Sequence, residues 1–266
     1  MQRIAILGAN GRMGMALIRL IAASDTAMLS GALTEPGHAT AGRDAGQLAG
    51  LDALGVLLTD QLDTALANCD VAIDFTAPVA TERHARACAA RGCSLVVGTT
   101  GLGSAELAAL KSAGASIAVL YSRNMSIGIT VLTELVRQAT RLLGPDFDAE
   151  ISEAHHRAKK DAPSGTALQL GEAVAQARAL TLAEVAVYDR SKLNMERAAH
   201  AIGFASVRAG SIVGDHTVLL ASDEELIELT HRATDRALFA RGALRAAAWL
   251  TGQAAGLYSM QDVLGL

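Results

Sequence analysis

Short apolar runs that alternate with amphipathic stretches fill the first half of the chain. Apolar runs of strand length occupy residues 3–8, 27–33, 70–75, 94–98 and 116–121. Helical periodicity covers residues 15–23 and 60–68 and starts again at Pro78, because proline is well placed in the first turn of a helix. This regular alternation of strands and helices predicts a parallel, doubly wound α/β sheet.

The pattern changes near residue 126. Residues 148–156 alternate like a strand that carries polar side chains, and further helices are predicted at 127–143, 164–179 and 235–251. Three later apolar runs have no helices between them, at 201–208, 212–221 and 225–231. They predict an antiparallel or mixed sheet. Residues 34–50 are predicted to be a loop and residues 258–266 a tail.

Composition narrows the class of protein. The 266-residue chain is 51% hydrophobic but only 3% aromatic, so its core consists mainly of Ala, Leu, Val and Ile. A net charge of −4 argues against a general nucleic-acid-binding protein. Three cysteines cannot all pair within one chain, and neither a signal peptide nor a membrane-spanning run is recognisable. We expect a soluble cytoplasmic protein without a nucleic-acid or membrane partner.

A glycine-rich turn separates the first strand from the first helix. Gly8, Gly11 and Gly14 are spaced Gly-x-x-Gly-x-x-Gly, and Asn10 stands where the common dinucleotide motif has its middle glycine. Glycine lets a pyrophosphate approach the backbone, and the helix N-terminus offers N–H groups and the positive end of its dipole. The turn therefore predicts a dinucleotide site; an ordinary tight turn is the alternative.

Other cofactor contacts are expected at the ends of the predicted strands. Glu35 lies near the position of the acidic residue that binds the adenosine ribose, while Arg12 would meet a 2′-phosphate. NADH and NADPH therefore both remain open. Residues 74–78 and 98–101 follow parallel strands, where ligands bind in open α/β sheets; turn and cap chemistry is the alternative there.

Residues 153–166 contain the most distinctive chemistry of the chain. Within six positions they carry five cationic or titratable side chains, His155, His156, Arg157, Lys159 and Lys160. A helix capped by Ser164 follows, and the N–H groups of Gly165 and Thr166 would face a carboxylate. The segment therefore suits a small polyanion that receives a proton; a solvated basic loop is the alternative.

Histidine is the natural proton donor of this segment, because its ordinary pKa is about 6.5. Neighbouring cations would lower the pKa of His155, and a bound dianion would raise it again. Arg157 suits a bidentate pair with Glu153 or Asp161 that would hold the loop. Zinc is disfavoured, because adjacent histidines on a strand point to opposite faces and no cysteine lies near them in sequence.

These segments together resemble the bacterial dihydrodipicolinate (4-hydroxy-tetrahydrodipicolinate) reductase family, nearly from end to end. The resemblance is carried by residues 8–14, 42–46, 74–76, 98–101, 124–126, 202–204, 214–216, 236–240 and 256–258, and above all by the block 153–166. It implies a Rossmann-like dinucleotide-binding domain of residues 1–126 and 236–266. It also implies a smaller α+β domain of residues 127–235, whose mixed sheet binds the substrate and mediates a homotetramer.

The activity implied by the resemblance is the NAD(P)H-dependent reduction of 4-hydroxy-tetrahydrodipicolinate in lysine and diaminopimelate biosynthesis. His155 would be the proton donor and Lys159 its catalytic companion, while the dicarboxylate would be held by His156, Lys160, Gly165 and Thr166. Resemblance assigns the dinucleotide to Gly8, Ala9, Asn10, Gly11, Arg12, Met13, Gly98, Thr99, Thr100, Ser122, Arg123, Asn124 and Met125.

Two positions depart from the family pattern. Thr34 stands where the family usually has an acidic residue, and Arg123 stands where a small residue or proline is common. One alternative function is that of another dehydrogenase of a small dicarboxylate, which would need a catalytic cysteine or a different acid pair after residue 120. The other is a non-catalytic dinucleotide-sensing module, which has little need for the block 153–166.

Overall fold

The computed structural model of the chain describes residues 1–266, apart from the side chain of Lys192. The strands are β1 Gln2–Leu7, β2 Ala27–Leu33, β3 Leu58–Thr59, β4 Val71–Asp74, β5 Ser94–Val97, β6 Ala118–Tyr121, β7 Asp148–His155, β8 Ala186–Val187, β9 Ile202–Arg208, β10 Gly214–Ala221, β11 Leu226–Ala233 and β12 Gly256–Tyr258. The α-helices are α1 Arg12–Ala22, α2 Ala45–Leu48, α3 Leu62–Ala65, α4 Pro78–Arg91, α5 Ser104–Ala113, α6 Ile127–Leu143, α7 Gly165–Ala177, α8 Leu182–Val185, α9 Ala237–Leu250 and α10 Met260–Leu264.

The chain forms two compact units. The first comprises Met1–Met125 and Ala237–Leu266, and the second comprises Ser126–Arg236. In the described part of the chain, no helix combines the length and apolar character needed to cross a membrane.

The first unit contains a seven-stranded parallel sheet with the order β12-β6-β5-β4-β1-β2-β3. This confirms the predicted doubly wound sheet. Chain order reverses at β1, which lies between β2 and β4, so the ligand crevice of this architecture lies at the carboxyl ends of β1 and β4. Both faces of the central strands are buried, which explains the continuous apolar runs of residues 4–7 in β1 and 71–73 in β4.

Two longer helices of this unit, α1 and α4, show the local signals expected from the sequence. Leu17, Ile18 and Ile21 on α1 are buried at helical spacing. Pro78 occupies the first turn of α4, and Gly92 ends that helix with a left-handed φ of +65°, which glycine adopts without a steric penalty.

The second unit contains a five-stranded mixed sheet with the order β11-β10-β7-β9-β8. Strand β7 pairs antiparallel with β10 and parallel with β9, which agrees with the predicted mixed sheet. Alternate side chains of β7 are buried, and helices α6 and α7 supply Val136, Leu170 and Val174 to the same core. The burial of every second residue places Glu153 and His155 on the same face of β7.

Several sequence predictions of short elements were wrong. The predicted tail contains Tyr258, which is the last residue of the strand β12 that pairs with β6, and the short helix α10. The predicted loop 34–50 contains α2, whose cap Asp44 accepts hydrogen bonds from four backbone N–H groups. The helix predicted at 60–68 is the single turn α3. Elements this short depend on tertiary partners rather than on local periodicity.

Candidate active site

The glycine turn between β1 and α1 is held by its backbone. Gly8 has a φ of +85°, and the N–H groups of Gly8 and Ala9 donate to the Leu33 carbonyl at 3.1 and 2.8 Å. A β-carbon on Gly14 would lie 2.2 Å from the Gly8 carbonyl oxygen, so α1 approaches the turn closely because Gly14 has no side chain. The helix is capped by Gly11, whose lack of a side chain leaves the first-turn N–H groups without a side-chain cap. This turn therefore fits the diphosphate of a dinucleotide.

A buried polar cluster joins the carboxyl ends of β4 and β5. Asp74 is fully buried, and one of its oxygens accepts hydrogen bonds from the N–H and hydroxyl groups of Thr76 at 2.9 and 2.6 Å. The hydroxyl of Thr99 donates to the same oxygen at 3.1 Å. The other oxygen lies 2.8 Å from Nδ1 of His84, a buried side chain on α4. The loops 74–76 and 98–100 are thereby tied together.

Close backbone packing brings further predicted cofactor loops beside this cluster. A β-carbon on Gly8 would lie 2.8 Å from the Phe75 carbonyl oxygen, and one on Gly98 would lie 2.2 Å from the Phe75 ring. The N–H group of Ser122 donates to the Val97 carbonyl at 3.1 Å. The turns after β1, β4, β5 and β6 therefore form one continuous edge.

The predicted cofactor residues of the later loops differ in exposure. Met125 is buried, Ser122 and Asn124 are half-buried, and Thr100 and Arg123 are exposed. The hydroxyl of Ser122 donates to the Asn124 carbonyl at 2.7 Å and so holds the turn after β6.

The two candidates for the ribose contact, which follow β2, differ in exposure. Thr34 is buried, and its N–H group donates to the Thr59 carbonyl at 2.9 Å. Glu35 and Arg12 are exposed, while Asn10 and Met13 are half-buried. A carboxylate accessible to a ligand is thus present at residue 35.

Glu153 is the centre of a polar cluster in the second unit. Its side chain is 1% exposed, and Oε2 lies 2.6 Å from Nδ1 of His155. Arg208 on β9 donates to both carboxylate oxygens at 2.8 and 2.7 Å, and the N–H of Ser164 donates to Oε1 at 3.2 Å. The expectation that Arg157 pairs with Glu153 was therefore wrong, because the neighbouring strand supplies Arg208 instead.

Ser164 and His216 connect this cluster to helix α7. Ser164 is the N-cap of α7, and its hydroxyl accepts a hydrogen bond from the Ala167 N–H at 3.1 Å. The same hydroxyl lies 2.9 Å from Nε2 of His216 on β10. The ring of His216 meets that of His155 edge to face, with centroids 5.1 Å apart and planes at 74°.

The remaining predicted substrate residues surround this cluster in sequence and differ in exposure. Nζ of Lys159 lies 2.8 Å from Oδ2 of Asp161, so Asp161 pairs with Lys159 and not with Arg157. His156 and Thr166 are half-buried, and Lys160 and Gly165 are exposed. Gly165 opens α7, and the space where its side chain would lie is empty.

The protonation states of the cluster follow from burial and from its ion pairs. Burial disfavours the Glu153 carboxylate, but hydrogen bonds from Arg208 and His155 outweigh it and lower the Glu153 pKa to about 2. Burial lowers the pKa of His155, the Glu153 carboxylate opposes that shift, and Lys159 and Arg208 add to it. Burial and the adjacent His155 lower the pKa of His216 to about 4, so His216 is neutral at pH 7.

Three polar residues of this cluster were absent from the predicted site. Glu153 was expected only to hold a loop, while Arg208 and His216 had no predicted role. The segment 214–216 was among the motifs noted in the sequence, which is the one signal that pointed to His216. Among the described residues, no cluster of three or more His, Cys, Asp or Glu side chains has a metal-site arrangement.

A doubly wound sheet with a glycine turn, accompanied by a second unit with a polar cluster around Glu153 and His155, is typical of the class of dinucleotide-binding α/β oxidoreductases. Two family models match the chain: "Dihydrodipicolinate reductase, N-terminus" over residues 2–125, and "Dihydrodipicolinate reductase, C-terminus" over residues 128–264. The chain belongs to the dihydrodipicolinate reductase family.

Full-length relatives share about half of the sequence. A protein from Alkalilimnicola ehrlichii, named 4-hydroxy-tetrahydrodipicolinate reductase, is 51% identical over 264 residues, covering 99% of each chain. A Pseudomonas fluorescens protein of the same name is 48% identical over 267 residues, covering 100% of each chain.

Solved structures agree on the fold. A dipicolinate-bound dihydrodipicolinate reductase from Paenisporosarcina sp. TG-14 superposes with a TM-score of 0.79 at 22% identity, covering 98% of both chains. A Corynebacterium glutamicum DAP dehydrogenase in complex with DAP has a TM-score of 0.56 at 13% identity, covering 98% of this chain and 93% of that one.

Proposed function

We propose that this protein reduces 4-hydroxy-tetrahydrodipicolinate to tetrahydrodipicolinate with NADH or NADPH, a reaction of lysine and diaminopimelate biosynthesis. One observation carries the proposal. His155, a buried imidazole in a segment typical of the family, shares a hydrogen-bonded cluster with the N-terminal cap of α7. Proteins named for this reaction are about half identical to the chain over its whole length.

The first unit would bind the dinucleotide at its glycine turn and neighbouring strand ends. Residues 8–13 would hold the diphosphate, and residues 98–100 and 122–125 would contact the nicotinamide half. Glu35 would bind the adenosine ribose, since its carboxylate is exposed whereas Thr34 is buried. A bound reduced nicotinamide supplies the hydride for a C=C/C=N system.

The second unit would bind the dicarboxylate and deliver the proton. His156, Lys160, Gly165 and Thr166 would hold the carboxylates, since two are basic side chains and two open a helix N-terminus. His155 would donate the proton, assisted by Lys159. A dianion beside His155 would raise the pKa that burial and neighbouring cations lower in the free protein.

We further propose self-association as a homotetramer through the sheet of the second unit, in a cytoplasmic enzyme. Support for this proposal comes from Val207 on β9 and Leu226 on β11, two large apolar side chains of this sheet that are 51% and 61% exposed. Sedimentation of the wild type and of Leu226→Glu tests this. A wild type that sediments as a monomer would remove the tetramer.

The activity is tested by mixing the purified protein with NADPH and enzymatically generated 4-hydroxy-tetrahydrodipicolinate while following nicotinamide absorbance. We expect oxidation of NADPH that depends on the substrate. His155→Gln and Lys159→Ala should each lower kcat by about 10²–10⁴-fold, the range of a positioned acid. Lys111→Ala, on the exposed surface of α5, is the matched lysine control.

Two results would contradict the proposal. Unchanged absorbance with the wild type would favour the non-catalytic dinucleotide-sensing alternative. Full activity in His155→Gln would remove that side chain from proton delivery.

A further inference from the structure

We propose that Glu153 and Arg208 are positioning residues that hold His155 in one tautomer, so that its Nε2 atom delivers the proton. This inference rests on the proposed function and deepens it, because it names the atom of the acid and the residues that prepare it.

The sheet itself assembles the three side chains. Glu153 and His155 are two residues apart on β7, so both point to the same face. Arg208 is the register partner of His155 on the neighbouring parallel strand β9. Regular strand pairing thus places a carboxylate, an imidazole and a guanidinium side by side.

The carboxylate determines which imidazole nitrogen carries a hydrogen. Oε2 of Glu153 lies 2.6 Å from Nδ1 of His155, and an ionised carboxylate can only accept a hydrogen bond. Nδ1 must therefore carry the hydrogen in both protonation states. Nε2 gains a proton when the ring becomes cationic and loses it when the ring acts as an acid.

Arg208 keeps this carboxylate ionised and fixed. Its two donors contact both oxygens of Glu153, a bidentate geometry that allows little rotation. The guanidinium also donates to the Asp161 carbonyl and so connects the strand to the loop that carries Lys159. The Ser164 N–H adds another donor to Glu153, at the start of α7.

The Nε2 side of the ring lies close to Gly214 on β10. A β-carbon on Gly214 would lie 3.0 Å from Nε2, so a side chain at this position of β10 would crowd that nitrogen. The titratable and charged groups around the ring are Glu153 on β7, Arg208 on β9, His216 on β10, and Lys159 and Asp161 in the following loop. Of these, Glu153 alone contacts the ring through a charged oxygen at hydrogen-bonding distance.

The decisive measurement is ¹⁵N NMR of the ligand-free protein with labelled histidine, as a function of pH. In the wild type, we expect neutral His155 to carry its hydrogen predominantly on Nδ1. In Glu153→Gln the amide can donate as well as accept, so the two tautomers should mix. The His155 pKa should fall by about one unit or more, because the adjacent negative charge is lost.

Kinetics give the matching readout in the working enzyme. For Glu153→Gln, the high-pH limb of the kcat profile should move down by about one unit, since that limb reports loss of the acid. At pH values above this limb, the ratio of the variant's kcat to that of the wild type should therefore be about tenfold lower than at pH values below it. KM should change little, because Glu153 is not among the residues proposed to hold the substrate. Glu150→Gln is the control, since Glu150 lies on the same strand and pairs with Arg197.

Several outcomes would overturn the inference. If the neutral His155 ring of the wild type carries its hydrogen on Nε2, the inference is overturned. This test needs no variant, so it holds even if the Glu153→Gln protein fails to fold. An unchanged tautomer, pKa and pH profile in a folded Glu153→Gln variant would overturn the inference as well. A wild type inactive toward the substrate would remove the proposed function instead, while the NMR titration would still test the coupling between Glu153 and His155.

Discussion

The buried pair of Asp74 and His84 should govern the stability of the first unit. His84→Leu removes the imidazole whose Nδ1 lies 2.8 Å from the fully buried Asp74 carboxylate. Removing one partner of a buried pair costs about 3–5 kcal/mol when the remaining charge has no other partner. Asp74 retains three donors from Thr76 and Thr99, so we expect a loss of about 1.5–3 kcal/mol, the value of one hydrogen bond to a charged group.

Urea unfolding followed by tryptophan fluorescence measures this loss. Trp249 is the single tryptophan of the chain and lies in α9, so its signal reports on the first unit alone. A double-mutant cycle with Asp74→Asn should give a coupling energy of at least about 1 kcal/mol. His84→Asn should restore part of the stability, because its amide nitrogen can occupy the place of Nδ1, whereas His84→Gln should not.

Cofactor affinity gives a second readout of the same perturbation. Asp74 holds Thr76 and Thr99 at the strand ends proposed to bind the dinucleotide. His84→Leu should therefore weaken NADPH binding about tenfold, which corresponds to about 1.4 kcal/mol of binding free energy. Titration calorimetry measures it. If the effects of Asp74→Asn and His84→Leu on the free energy of unfolding are additive within about 0.5 kcal/mol, the argued coupling is refuted.

Three further predictions follow from single sites. Gly14→Ala should abolish tight NADPH binding in a calorimetric titration, because its β-carbon would lie 2.2 Å from the Gly8 carbonyl oxygen, which cannot yield without moving the turn. The Glu153 pKa is lowered from 4.5 to about 2 in the folded protein, so its stabilisation is complete above pH 4.5 and is lost as the pH falls towards 2. Glu153→Gln should remove up to about 3 kcal/mol of that pH dependence in acid unfolding followed by circular dichroism. Glu35→Gln should raise KM for NADH about tenfold, the value of a weak hydrogen bond to a charged group, in steady-state kinetics.

Matched variants separate these effects from general damage. Gly11→Ala should be milder than the change at residue 14, since its β-carbon would lie 3.2 Å from the nearest heavy atom. Glu150→Gln should keep the wild-type dependence of the unfolding free energy on pH between 4.5 and 2. An equal loss of this dependence in Glu150→Gln and Glu153→Gln would contradict the role given to Glu153. Unchanged NADH kinetics in Glu35→Gln would exclude a ribose contact by that residue.

Local patterns in the sequence were sufficient to predict the parallel sheet and to locate the glycine turn and the block 153–166 along the chain. Strands buried on both faces are continuous apolar runs, and Gly8 and Pro78 mark a turn and a helix start by their own backbone preferences. Each of these signals depends on residues close together in the chain.

Only the tertiary structure decided how the acid candidate is held. Arg208 is distant from Glu153 in sequence, and strand register alone makes it the partner in place of Arg157. His216 reaches Ser164 for the same reason, from an antiparallel strand. A hydrogen bond across a sheet is set by register and strand order, and neither is encoded in the periodicity of a single segment.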